Sequence, residues 1–299
     1  MYYGWVIKKT STFFRPKLYC LAFLLIAGGC VGAYVLLFTA HRSVPPQKPG
    51  YSWKLSFGDE FNGSILDKRK WVTCYDWYDA KYNGCSNNGN NEQEWYSPSN
   101  VTQHDGSLKL TAVKKSTVGW NKTYEQDYAF QSGMVSTGRA SWNEEPKWTG
   151  KYGYFEARMK VDGGKGIWPA FWLLPADHSW PPEIDVMELL GDRTHEVLMT
   201  YHWPGLHNEH MEDSTSFTGS DFTKGWHTYA VNWQPGEIDW YIDGVLRKSV
   251  KSNKIPDKSM ELVLNLAVGG KLPGSPDDTT HFPAEVSVDY VRVYSLIKN

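Results

Sequence analysis

From residue 53 onward the sequence predicts an all-β domain, a sandwich or barrel, and three observations carry that reading. Short runs alternate apolar with polar residues at period two, as half-buried strands do: SLKLTAV (107–113), YGYFEARMKV (152–161), TYAVNW (228–233), IDWYID (238–243), LVLNLAV (262–268) and VSVDYVRVYS (286–295). Gly, Asn, Asp and Pro break the text between them, and Asp243-Gly244 is a hairpin signal directly after IDWYID. No long amphipathic helix pattern and no fixed-period repeat interrupts residues 53–297, which fits one domain of many short strands.

The segments before it read differently. Residues 1–17 carry Lys8, Lys9, Arg15 and Lys17 and no acid. Residues 18–40 then run for 23 positions without a charge. At about 1.5 Å per residue such a helix crosses the ~30 Å hydrocarbon layer. Because the basic residues precede it, the expectation is a cytoplasmic tail at 1–17, a transmembrane signal anchor at 18–40 and the bulk of the chain outside. Val31-Gly32-Ala33 is a weak cleavage site and Ala27-Gly28-Gly29-Cys30 a poor lipoprotein box, so a cleaved, secreted form is the alternative. Residues 41–52 are a Pro-rich linker.

Composition narrows the function. Formal net charge is -2, which gives no reason to expect a nucleic-acid partner. Aromatic residues reach 15 % of the chain, enough to fill a sheet core and also to supply flat faces for sugars. Cys20 and Cys30 fall in the apolar segment, whereas Cys74 and Cys85 stand eleven apart and suit a loop disulfide outside the cytoplasm. Asn62, Asn100 and Asn121 each begin a glycosylation sequon.

One stretch carries chemistry. PEIDVMELLG (182–191) sets Glu183, Asp185 and Glu188 among Ile, Val, Met and Leu. On a strand, residues two apart share a face, so Glu183 and Asp185 point together while Glu188 falls on the wrong side. One extra residue, a β-bulge near Val186 or Met187, resets the register and brings Glu188 round to its partners. Two glutamates so placed can close their carboxyls to about 5–5.5 Å, the separation of a retaining glycosidase pair. A solvated acidic strand face and a calcium site are the plainer readings of the acids alone. GIWPAFWLLP (166–175) just upstream favours a sugar cleft, since Trp168 and Trp172 can stack on a ring beside the acids.

E-I-D-V-M-E preceded by G-I-W-P-A-F-W-L-L-P resembles glycoside hydrolase family 16, in its bulged, laminarinase-like branch. DEFNGSILDKRKW (59–71), NNEQEWYSPSNV (90–101), YGYFEARMK (152–160), WHTYAVNW (226–233), LNLAVGG (264–270) and VDYVRVYS (288–295) follow in the family's order. The resemblance implies a concanavalin A-like jelly-roll sandwich with a substrate cleft across its concave face. It assigns the nucleophile to Glu183, an assisting acid to Asp185 and the general acid/base to Glu188. Trp168, Trp172, His202, Asn91 and, at the cleft's edge, Glu92 fall on substrate-binding positions. It implies no catalytic cofactor, and a structural calcium held by backbone oxygens of Glu60 and Gly106 and the side chain of Asp289. Two departures, residues 74–90 and Met134, are expected near the cleft ends.

The expected activity is endo-hydrolysis of β-1,3-glucan by a monomer at the outer face of a membrane. Mixed-linkage glucan, agar or carrageenan cleavage, transglycosylation, and a non-catalytic β-glucan-binding protein are the alternatives. No H-E-x-x-H, phosphate loop or G-x-S-x-G occurs, and His207 and His210 read as polar loop residues.

Overall fold

The computed structural model describes residues 44–75, 85–121 and 124–299. The chain divides into two units, Met1–Ala40 and His41–Asn299. The first, with the tail and the apolar segment 18–40, lies outside the described residues. Among the described residues no helix is long and apolar enough to cross a membrane.

The strands, in chain order, are β1 (Tyr51–Asp59), β2 (Glu94–Tyr96), β3 (Val101–His104), β4 (Ser107–Ala112), β5 (Thr117–Asn121), β6 (Tyr124–Tyr128), β7 (Phe130–Ser132), β8 (Met134–Ser136) and β9 (Gly153–Val161). They continue with β10 (Ile167–Pro175), β11 (Glu183–Glu188), β12 (Glu196–Pro204), β13 (His210–Thr218), β14 (His227–Gln234), β15 (Glu237–Ile242), β16 (Val245–Lys251), β17 (Met260–Val268) and β18 (Ala284–Lys298). Helix is confined to two three-residue 3-10 turns among the described residues. Each alternating run read from the sequence falls on a strand. Asp243 and Gly244 both take positive φ, 51° and 75°, as a tight hairpin turn between β15 and β16 requires.

Two antiparallel sheets form a sandwich. One has the order β16-β15-β14-β9-β18-β4-β3 with β1 also on β18, and the other β13-β12-β11-β10-β17-β8. Their facing sides build one apolar core, in which Phe171, Leu173, Ile184 and Leu264 of the second sheet meet Phe155, Val231, Trp233 and Trp240 of the first. Burying a side chain of this size contributes about 1.5–3 kcal/mol, which fixes the register of every strand with one face inward.

β10 and β17 are buried on both faces. That is why GIWPAFWLLP is nearly continuous in apolar residues rather than alternating. Its odd side enters the core, while Trp172 on the outer side packs with Tyr75, Cys85, Tyr96, Met134 and Val263 in a separate cluster. The outer face of the six-stranded sheet therefore has an apolar layer of its own, and the acids of β11 stand beside it.

Candidate active site

The register of β11 shows the extra residue directly. Against β12, Glu183 pairs with His202 and Asp185 with Thr200, but Glu188 then pairs with Leu198. Three steps on β11 thus face two on β12. Against β10, Asp185 pairs with Trp172 and Met187 with Phe171, so the surplus residue is Val186. Ile184, Val186 and Met187 all lie in the core, and Glu188 returns to the side of Glu183 and Asp185. Asp185 keeps its partners on both sides of the bulge, and Trp240 of the opposite sheet reaches across the core to donate its Nε1–H to the Asp185 carbonyl at 2.8 Å.

Each acid has its own donor. Glu183 Oε2 accepts from Trp180 Nε1 at 2.6 Å. Glu188 Oε1 accepts from Trp168 Nε1 at 3.0 Å. Asp185 Oδ2 lies 2.9 Å from His202 Nε2, which is also 3.8 Å from Glu183 Oε1. The Glu183 and Asp185 side chains retain only 16 % and 4 % of their exposure.

Burial therefore dominates their protonation. It pushes Glu188 up to about 7, helped by the charge of Glu183 and opposed by the Trp168 hydrogen bond. It pushes Asp185 up to about 6, with Glu188 adding and His202 opposing. Glu183 is raised well above the usual carboxylate range, first by burial and then by Asp185. Burial opposes a charge on His202, yet the hydrogen bond and charge of Asp185 outweigh it and raise this imidazole. The cluster thus resists full ionisation, and His202 supplies the countercharge that lets part of it ionise.

The binding candidates separate into lining and support. Trp172 is committed beneath the surface: its Nε1 donates to Asn265 Oδ1 at 2.8 Å, and Asn265 Nδ2 donates to Tyr96 at 2.9 Å. Glu92 is buried and accepts from Asn90 Nδ2 at 3.1 Å and from the Tyr96 hydroxyl at 3.4 Å, whereas Asn91 is exposed with φ at 57°. Gly270, with φ at 116°, passes between Trp168 and Glu92; a Cβ there would lie 3.5 Å from the Trp168 ring and 3.7 Å from Glu92 Cγ.

Cys74 and Cys85 form a disulfide, with Cα atoms 4.8 Å apart. Its neighbour Tyr75 meets Trp172 edge-on at 6.3 Å. Met134 corrects an expectation: it is fully buried with Trp172 and Val263, under the outer layer rather than in an open cleft end. Much of the other departure, residues 76–84, lies outside the described residues.

The residues expected to hold calcium, the backbone oxygens of Glu60 and Gly106 and the Asp289 side chain, lie apart from the acids, and one of them is already engaged. Asp289 Oδ2 accepts from Arg158 Nη1 at 2.8 Å, so its charge is already met by a guanidinium. Glu60 is paired through its carboxylate with Arg292 at 2.7 Å, and Gly106 turns between β3 and β4 with φ at 69°. Of the sequons, Asn100 is buried with its Nδ2 donating to the Thr111 carbonyl at 2.7 Å. Asn62 is exposed.

Sequence reasoning assigned no role to Trp180, Trp240, Asn265 or Glu94. For Trp180 the signal was its place three residues before Glu183. Glu94 stands two residues after Glu92, and its Oε2 accepts the Val268 backbone N–H at 2.7 Å. Trp240 and Asn265 gave no local signal.

The sequence model of glycosyl hydrolases family 16 matches residues 88–292. The chain belongs to that family. Endo-1,3-1,4-beta-glycanase ExsH of Rhizobium meliloti is 34 % identical over 256 residues, covering 81 % of this chain and 51 % of its own length. The chain thus spans about half the length of the first curated relatives it matches. Among solved structures, the endo-beta-1,3-glucanase of Pyrococcus furiosus is 33 % identical with a TM-score of 0.70, covering 83 % of this chain and 96 % of that one. The laminarinase catalytic domain of Thermotoga maritima MSB8 is 32 % identical with a TM-score of 0.69, covering 81 % and 98 %. The sandwich described above is the fold of these family 16 enzymes, whose hydrolysis needs no catalytic cofactor.

Proposed function

We propose that this family 16 chain is an endo-acting, retaining hydrolase of β-1,3-glucan. The observation that carries the reading is the bulge at Val186, which sets Glu183, Asp185 and Glu188 on one face with a separate donor for each. The names of the Pyrococcus and Thermotoga neighbours support the linkage.

Glu183 attacks the anomeric carbon and forms a covalent glycosyl-enzyme. Trp180 holds its Oε2, which leaves Oε1 for attack. Glu188, pushed up to about 7, gives its proton to the leaving glycosidic oxygen and later removes one from the water that releases the sugar. Asp185 shares its proton and charge with Glu183 and is held by His202, so the nucleophile can ionise without two free charges in contact. The exposed indole of Trp180 provides a face for a sugar ring beside the acids, while Trp168 is buried and holds Glu188 from beneath. Asn91, Glu92, Trp172 and His202 shape that surface.

The uncharged run 18–40 behind four basic residues supports a single-pass anchor with the catalytic domain outside, and cleavage would make the domain a secreted one. Membrane fractionation with and without residues 1–40 tests it; full-length protein free in the medium would contradict it. For the activity, reducing-end release from laminarin is expected for the wild type and lost in Glu183→Gln. Equal release by both would end the assignment of the nucleophile.

A further inference from the structure

His202 sits between two different environments. Its Nε2 faces Asp185 Oδ2 at 2.9 Å. Its Nδ1 faces His210 Nε2 at 2.8 Å, and Glu212 Oε2 lies 3.6 Å from that same Nδ1 and 3.9 Å from His210 Nε2. The three side chains come from neighbouring antiparallel strands, where His202 pairs with Glu212 and Pro204 with His210. Residues two apart on a strand share a face, so this register puts all three on one side of the sheet. The three donor atoms fall within 4.8 Å of one another.

The contact on the far side of the ring fixes what the near side can do. Asp185 accepts the Nε2–H, which leaves Nδ1 of the neutral imidazole as a lone-pair atom aimed at His210. A carboxylate holding the outer N–H of a histidine is the arrangement that orients metal-bound imidazoles and raises their basicity. Two imidazole nitrogens and one carboxylate are the donor set of a transition metal such as zinc, copper or nickel rather than of calcium. His210 and Glu212 retain 39 % and 56 % side-chain exposure, so an ion has a path in, and the fourth position opens to water. The Trp180 ring, centred 4.8 Å from that of His210, limits the rotation of the second ligand.

We propose that His202 Nδ1, His210 Nε2 and the Glu212 carboxylate form a binding site for one divalent transition-metal ion at the edge of the acid cluster, and that the bound ion inhibits the enzyme. The inhibitory half rests on the hydrolase reading. The ion occupies the surface over His202, between the acids and the exposed Trp180 ring that offers a sugar its face, so it competes with substrate for that surface. Binding takes place on neutral imidazoles: the ion displaces the proton held between His202 Nδ1 and His210 Nε2, which passes to solvent or to His210 Nδ1. Two metal–nitrogen bonds replace that hydrogen bond, and no redox step is needed.

The test uses the untagged full chain and Cu2+ alone, by calorimetry and electron paramagnetic resonance. One ion per chain is expected, with hyperfine splitting from two nitrogens. Loss of a ligand in His210→Ala should weaken binding by at least about tenfold, and Glu212→Gln by a similar or smaller factor. His207→Ala, on the exposed loop, is the control and should leave binding unchanged. Absence of one-to-one binding, or unchanged affinity in His210→Ala, would overturn the site. Laminarin hydrolysis is then followed with and without saturating Cu2+, each variant against its own metal-free rate. The wild type should be inhibited and His210→Ala resistant at the same concentration; equal sensitivity would overturn the inhibitory role. Because binding is read without substrate, a chain inactive on laminarin would still be decided for the site.

Discussion

Glu183, Asp185 and Glu188 on β11, and Glu92 and Glu94 at the other end of Trp168, are all carboxyls that burial drives toward the protonated form. Their surroundings differ in three respects. Each acid of β11 accepts from a different donor, and Glu183 and Glu188 keep partial exposure. Glu92 and Glu94 are sealed, coupled to each other, and bonded to Asn90, Tyr96 and the Val268 N–H. Burial alone therefore does not mark a catalytic acid. A separate donor, a path to solvent and a neighbour that carries the countercharge do.

The largest expected effect breaks the first group. Glu183→Gln should lower laminarin turnover by at least about a thousandfold, since the covalent step is lost. Burial raises Glu183 in the folded chain, so holding it there costs stability at neutral pH, and the uncharged Gln removes that cost. The variant should melt higher than wild type near pH 7, by about 2–4 °C for each kcal/mol relieved. Calorimetry and a reducing-sugar assay read both.

Next, Glu188 should govern the alkaline limb of activity. The acid works only while protonated, and its value of about 7 means that kcat/KM falls as pH rises through about 7. Glu188→Gln should cost about 10²–10⁴-fold and abolish that limb in a pH–rate profile.

The bulge has its own test. Trp240→Phe removes the donor to the Asp185 carbonyl and leaves a buried acceptor unmet, worth about 1–3 kcal/mol of stability. Denaturant unfolding should show that loss, and kcat should fall while KM changes little, because the acids rather than the sugar faces shift.

The smallest effect is expected in the sealed pair. Glu94→Gln keeps an oxygen for the Val268 N–H and removes one ionisable group, so activity should stay within about threefold of wild type. In the wild type, Glu92 is raised from 4.5 to about 7, so the folded chain holds a proton that the unfolded chain releases. Stability from this pair is full below about 4.5 and declines as pH rises toward about 7. In Glu94→Gln that decline should be shallower, as Tm measured across this window would show.

Much of this site was legible because strand periodicity leaves little freedom. The alternation in YGYFEARMKV and VSVDYVRVYS gave strands, and the failure of alternation at Glu188 required an extra residue that the ladder places at Val186. Period two tells which side a residue faces but not what waits there. Trp240 lies 55 residues from Asp185 and Asn265 lies 93 from Trp172, so neither partner has a local signature. Met134 read as a cleft residue because its motif position is near the cleft, yet the layer of Trp172 and Tyr75 covers it. His210 read as a loop residue, and only the pairing of β12 with β13 brings it to His202.

The account turns on Glu183 and Glu188 acting as partners across one glycosidic bond. Proton NMR of laminarin digestion, recorded before mutarotation, reports the anomeric form of the first product. A β-configured reducing end, matching the bond cleaved, is the predicted result. An α-anomer appearing first would mean that water attacks directly, and the two glutamates would not be the nucleophile and acid described above.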